Sequence, residues 1–377
     1  MSGQQLDHVN YDALDAAKQA CIEAGKRTTE FAADFGFIPD DKFGASANVF
    51  SLNLKPYLKA GVKSLHVTLL PEGLGTADDA RPDNLSDEEL TGFWYNIGFK
   101  MMSALTNDAA SSGMQTVLIS LYLPSSTPEL VFTPQFLKGF LDGFVEGCHQ
   151  VGCVYFSGET PQLKNKLHEG IIDVAGALFG ILPAGVDPIN SDDVASGDQI
   201  VFVESSGPHE NGFTSFRALA EQLPEGYRTK LPSGQEYWQA LNAPSKLYTP
   251  LIQSILRSGI RPTNVEPISG HGWQKLMRPA KPFRYVIEQM LPIPEIFEFI
   301  QEQTDTPPAE MINKFNYGAG LAIFVKTQEE ADKIIQEAAQ HDLKAIIAGH
   351  VEAAPEREVF IKPLSVTLSG EAFQLSK

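Results

Sequence analysis

The stretch SLHVTLLPEGLGTADDA, residues 64–80, reads as a strand running into a glycine turn. Val67, Leu69 and Leu70 form an apolar, partly β-branched run that predicts a buried strand over 64–70. Glu72-Gly73-Leu74-Gly75-Thr76 then offers two glycines free to take left-handed backbone angles. Such a turn can aim several N–H groups at an anion. A lysine would complete a phosphate site, yet Ala77 follows Thr76, and Asp78 and Asp79 come next. A divalent metal ion would supply part of the missing charge.

A chain of 377 residues exceeds one ordinary core and predicts about two domains, with room for a cleft between them. Hydrophobic residues at 43% and charged residues at 20% place it among globular chains rather than disordered or fibrous ones. No apolar run approaches the length of a membrane span. The formal charge of −18 argues against nucleic acid or acidic lipid as a partner, because both need a basic surface. It still permits a nucleotide held by main-chain donors and a cation. The first thirty residues lack the basic start and apolar block of a secretory signal, so a cytoplasmic address is expected. Cys21, Cys148 and Cys153 are read as reduced, buried thiols.

Along the chain, a first helix is expected over 11–33 and a loop over FGFIPDDKFGASANVF, residues 35–50. The segment from 90 predicts a helix ending near Asn107-Asp108 and Gly113, followed by the strand MQTVLISLYL. Phe136, Phe140 and Phe144, four apart, predict a buried helix stripe. CVYFSGET and IIDVAGALFGIL read as strands. Pro, Gly, Asp and Ser then replace the apolar pattern, so residues 184–197 are expected to link a domain over 1–183 to one over 198–377. The second half opens on the strand QIVFVE and the turn SSGPHENG, with a helix from near Phe213. SKLYTPLIQSIL, PIPEIFEFIQEQT and QEEADKIIQEAAQH read as later helices; VEPISGHGW, GAGLAIFVK and KAIIAGHV read as strands. The fold class is mixed α/β (α+β) in both halves.

Several polar clusters share one pattern, an element end meeting small residues and a carboxylate or amide. They are the turn at 72–76, Asn107-Asp108, Ser157-Gly158-Glu159-Thr160, Gly207-Pro208-His209-Glu210-Asn211-Gly212 and Ser269-Gly270-His271-Gly272. Each alone is a common turn or cap. Together they suit a magnesium-bound polyphosphate. Asp108, Glu159 and Glu72 are hard oxygen donors for the ion, and the turns at 73–76 and 207–212 bring main-chain N–H groups. His209 and His271, flanked by glycine, are the histidines best placed for chemistry. The eight histidines show no zinc spacing, and neither a Gly-x-Ser-x-Gly elbow nor a P-loop occurs.

The motifs KFGA, PEGLGT, LTNDAASSG, EGCHQVGCVYFSGET, SGDQIVFVESSGPHENGF, LNAPSKLY and KFNYGAGLAI run in order through nearly the whole chain. In that order they resemble the phosphoribosylformylglycinamidine cyclo-ligase (aminoimidazole ribonucleotide synthetase) family. The resemblance implies two domains, with the N-terminal halves of two chains pairing into a β-barrel. It implies ATP and Mg²⁺ as cofactors, a homodimer, and ring closure of a small-molecule ribonucleotide by phosphoryl activation of an amide oxygen. Carried across, Asp108 and Glu159 fall in the metal and phosphate site, with Glu72, Gly73, Gly75, Thr76, Asn107 and Thr160 around them. Phe43 and Gly44 belong to the loop over the nucleotide, and His209, Asn211 and Gly212 help close the cleft.

The departures are specific. The family's Asp-Gly-x-Gly-Thr-Lys has Glu72 for the aspartate and Ala77 for the lysine, and its Gly-Gly-Phe-Gly loop reads Asp41-Lys42-Phe43-Gly44. Two accounts stand: Lys42 or a partner-subunit lysine replaces the lost charge, or the chain is a paralogue with altered or absent cyclo-ligase chemistry, down to a non-catalytic binding protein.

Overall fold

The computed structural model describes residues 10–39 and 48–370. Strands β1 (Phe37–Pro39) and β2 (Phe50–Leu52) form a short antiparallel pair where a loop was expected. A first sheet joins β3 (Val67–Gly73), β4 (Gln115–Tyr122), β5 (Val154–Glu159) and β6 (Ala175–Ile181) in the order β3-β6-β4-β5. Only the β4–β5 neighbours run parallel in it.

Helices Asp87–Ser111 and Pro134–Val151 pack together on this half. A Cβ on Gly98 would stand 2.1 Å from the Phe140 carbonyl oxygen, and one on Gly143 would stand 1.9 Å from that of Tyr95. The two helices therefore meet backbone to backbone, which only glycine permits. Ser86 and Glu89 form a capping box at the start of the first helix, and Thr133 caps the second. Phe136, Phe140 and Phe144 are buried as expected, their rings stacked at 5.2 and 6.1 Å.

The opening stretch departs from its reading. Its strand begins at Val67 and continues through Gly73, so only Gly75, at φ +59°, takes the left-handed conformation in the turn. Its apolar side chains are not buried: Val67 is 53% and Leu69 76% exposed, on the face opposite the helices. The strand alternates between two faces, and the expected burial fails for the face of Val67 and Leu69, which nothing covers among the described residues. The first helix ends at Lys26 and gives way to turns and a short 3₁₀ segment, Ala33–Phe35.

The second sheet joins β7 (Gln199–Glu204), β8 (Asn264–Pro267), β9 (Phe283–Ile287), β10 (Ala319–Val325), β11 (Ala345–Ala353), β12 (Glu358–Ile361) and β13 (Val366–Ser369). Its order is β13-β12-β9-β11-β7-β10-β8, and β9–β12 is its one parallel pair. Ile200–Val203 and Leu321–Val325 are fully buried because both faces of these central strands are covered. Helices Thr249–Arg257 and Gln328–Gln340 lie on one side. Phe216, Trp273 and Phe297 lie on the other.

Helix Asp87–Ser111 also holds the halves together. Lys100 Nζ donates to the His209 carbonyl at 2.9 Å, and Asn242 Nδ2 donates to the Phe93 carbonyl at 3.3 Å. All three cysteines are free thiols, two of them buried.

Candidate functional site

Where the C-terminal part of helix Asp87–Ser111 meets the edge of the second sheet, a cavity of about 330 Å³ opens. Of the residues singled out in the sequence, Glu72, Gly73, Asn107, Asp108, His209, Asn211 and His271 line it. Glu72 comes from the end of β3 and Asp108 from the helix, and both are half-buried. Burial raises the Glu72 carboxyl above its ordinary range, and the negative charge of Asp108 raises it further. Burial raises Asp108 too, opposed by Lys275 and Arg278. The two acids thus face each other across a partly dehydrated space with cations beside them.

Those cations come from the second half. Lys275 and Arg278 lie on and just after the 3₁₀ segment Gly272–Met277, three residues apart, a spacing that places both on one side of such a turn. Lys275 is 5% exposed and donates to the Pro267 carbonyl at 3.2 Å and to Ser269 Oγ. Arg278 pairs with Glu266 at 2.7 Å, and burial pushes the Glu266 carboxyl up to about 7. Lys100, wholly buried, has its ammonium lowered by burial to about 8. Burial raises Glu210, on the cavity wall, to about 7, with Lys100 opposing.

Several expected site residues hold the chain to itself. His209 is buried, and its Nε2 accepts from the amides of Ser206 at 3.2 Å and Lys246 at 3.4 Å. Burial, Lys100 and Lys246 lower its ring to about 3, so it is a neutral acceptor that ties two loops. Asn107 uses both ends of its amide, donating to the Lys246 carbonyl at 3.0 Å and accepting from the Tyr248 amide at 2.7 Å. Gly212, at φ +88°, packs where a Cβ would lie 2.5 Å from Phe315 and 2.6 Å from Phe216. His271 takes φ +69° on the exposed rim.

Others fall elsewhere. Gly75 lines an open groove on the uncovered side of the first sheet, which adjoins the cavity through Glu72 and Gly73. Thr76 is half-buried at the start of the short turn Ala77–Asp79. Glu159 is exposed at the end of β5, and Thr160 is buried beside it; neither lines the cavity. The expected trio of Asp108, Glu159 and Glu72 is therefore not assembled within one chain. Among the described residues no three His, Cys, Asp or Glu side chains gather as a metal cage. Lys42, Phe43 and Gly44 lie outside the described residues.

Sequence reasoning had Glu210 within the 207–212 turn but missed Lys100, Glu266, Lys275 and Arg278 as members of this network. One signal was present: Lys100 interrupts the apolar run GFKMMSAL, which marks a lysine buried for a reason.

Residues 88–182 match the family described as AIR synthase related protein, N-terminal domain. The chain is 25% identical over 302 residues to a phosphoribosylformylglycinamidine cyclo-ligase of Synechococcus, covering 79% of this chain and 83% of the relative. It is 28% identical over 293 residues to the enzyme of that name from Staphylococcus saprophyticus, covering 76% and 79%. In structure it is similar to the E. coli hydrogenase maturation protein HypE, with a TM-score of 0.61, 14% identity and 96% and 98% coverage. A HypE solved in complex with ATP gives 0.58 at 12% identity, covering 90% and 91%. Thiamine-monophosphate kinase from Stenotrophomonas maltophilia gives 0.60 at 15% identity, covering 92% and 97%. Residues 88–182 are thus similar to an AIR synthase related N-terminal domain, within a mixed α/β fold like that of HypE and thiamine-monophosphate kinase, in a chain whose sequence resembles the phosphoribosylformylglycinamidine cyclo-ligases.

Proposed function

We propose that this chain uses ATP and Mg²⁺ to close the imidazole ring of formylglycinamidine ribonucleotide, giving aminoimidazole ribonucleotide, a ligase step of purine biosynthesis. One observation carries the reading: Glu72 and Asp108 from the first half meet Lys275 and Arg278 from the second in one cavity, in a chain similar to enzymes of that name. The ATP-bound HypE of like fold supports nucleotide binding.

The residues present fit magnesium in one manner. Mg²⁺ rarely sits in an all-protein cage; it takes one or two carboxylates and completes its shell with waters and phosphate oxygens. Glu72 and Asp108 are such a pair, hard oxygen donors on one cavity wall whose carboxyls burial raises. When bound, the ion would neutralise charge on the transferring phosphoryl group. The chain's own part is to position the two ligands, keep bulk water from the cavity and hold the loop 207–212 in place through Lys100.

In this reading residues 1–183 carry the nucleotide site and the dimer face, and residues 198–377 close over the substrate, with 184–197 between them. Val67 and Leu69 on the uncovered face of the first sheet support a homodimer that pairs these faces. Glu159, Thr160 and Gly75 then act at the edge of that interface. The cytoplasm is the proposed address, and among the described residues no helix is long and apolar enough to cross a membrane.

The deciding experiment supplies formylglycinamidine ribonucleotide and Mg-ATP to the purified chain and follows ring-closed product. Product formation, abolished by Asp108→Asn, is the expected result. ATP binding without product would remove the cyclo-ligase reading. It would leave the second one, ATP-dependent phosphoryl transfer to another small molecule, which the absence of a lysine at Ala77 favours.

A further inference from the structure

We propose that Lys275, backed by Arg278, is the phosphate-binding cation of this cavity, supplied by the second half of the chain in place of the lysine missing at position 77. This rests on the nucleotide reading above and adds the residue that receives the phosphoryl oxygens. Ala77 is 1% exposed and packed in the core beside Leu74, so the turn after β3 presents no charge to the cavity at that position. The cavity instead receives an ammonium from its opposite wall.

Four features single out Lys275. It is buried yet lines the cavity. Its two acceptors, the Pro267 carbonyl and Ser269 Oγ, are both neutral, which leaves one of its three N–H donors for a ligand. Among the described residues it makes no ion pair within 4.0 Å, whereas Lys246 is taken by Glu204 and Arg278 by Glu266. Burial lowers its ammonium and Arg278 adds to that, while the charges of Glu266, Asp108 and Glu72 reach it and work the other way. A lysine needed only to tie the 3₁₀ segment to β8 would be served by a neutral donor. An ammonium held between two neutral acceptors, facing carboxylates that suit a cation, is arranged for a ligand carrying both a metal ion and phosphoryl oxygens. Those oxygens belong either to the polyphosphate of a nucleotide or to the phosphomonoester of a ribonucleotide.

Lys275→Gln keeps a donor for the Pro267 carbonyl and removes the charge; Lys275→Arg keeps the charge. Titration calorimetry of the full chain with Mg-ATP, and separately with ribose 5-phosphate, distinguishes the two sources. The expected result is a loss of about tenfold or more in affinity for one ligand in Lys275→Gln, recovered to within about threefold in Lys275→Arg. Circular dichroism checks that each variant is folded. The phosphorus-31 shift of ligand bound to wild type, compared with Lys275→Arg, is a second readout free of the neutral variant. Unchanged affinity in Lys275→Gln for a ligand that wild type binds, or an unchanged shift in Lys275→Arg should the neutral variant not fold, overturns the lysine's role and leaves the nucleotide reading standing. Wild type that binds ribose 5-phosphate but not Mg-ATP, with Lys275→Gln weakened, keeps the site and removes the nucleotide. Wild type that binds neither ligand removes both.

Discussion

The Tyr248 amide donates to Asn107 Oδ1 at 2.7 Å, across 141 residues of sequence. With the Asn107 amide nitrogen donating to the Lys246 carbonyl at 3.0 Å, one side chain pins the segment 246–248 to helix Asp87–Ser111. Asn107→Ala removes both bonds and orphans a buried amide and carbonyl. We expect a loss of about 2 kcal/mol in urea unfolding, with Asn107→Asp recovering only the acceptor half.

Gly143→Ala tests the contact between the two long helices. Its Cβ would fall 1.9 Å from the Tyr95 carbonyl oxygen, and neither backbone can yield without separating the helices. The expected cost is about 3 kcal/mol or more, read as a large drop in the denaturation midpoint. The control is Gly61→Ala, where φ is +73° but nothing lies within 4 Å of the new methyl. It should lose only about 1 kcal/mol, from backbone strain.

Glu266 gives a pH signature. It is 4% exposed, and burial raises its carboxyl to about 7 from an ordinary 4.5. The native state therefore holds this proton at pH values where the unfolded chain has lost it. The contribution to stability is full below about pH 4.5 and is lost as pH rises through about 7. Over that window it amounts to about 3 kcal/mol. Glu266→Gln cannot titrate, so its thermal midpoint should fall less than that of wild type between about pH 5 and pH 8. Parallel curves for the two proteins would refute the assignment.

Leu69, 76% exposed on β3, probes the uncovered face of the first sheet. If that face pairs with a second copy, Leu69→Glu places a charge in an apolar contact and weakens the dimer by about a hundredfold or more. Sedimentation equilibrium at micromolar concentration should show wild-type dimer and variant monomer. A wild-type monomer would dispose of the pairing.

What the sequence disclosed follows from how far each signal reaches. QIVFVE and GAGLAIFVK announced β7 and β10 because strands covered on both faces must be apolar throughout. FRYVI, EVFI and VTLS are short and half polar, and β9, β12 and β13 passed unseen. Asp108 and Glu72 were found by chemical type and do share the cavity. Glu159 has the same chemistry and lies outside it, because the end of β5 is carried elsewhere by an arrangement that composition cannot report. Lys275 was invisible for the opposite reason: its surroundings are made by residues far away in the chain, and a lysine in GWQKLMR looks like any surface cation.

The division of charge between the halves has a consequence for any shortened form of this protein. A fragment ending before residue 184 would carry Glu72 and Asp108 with no counter-charge opposite, and one starting after 198 would carry Lys275 and Arg278 facing open water. Whatever sheet each piece keeps, the recognition chemistry would be lost outright rather than halved. Mixing the two fragments would restore it only in proportion to how well helix Asp87–Ser111 finds its seat again.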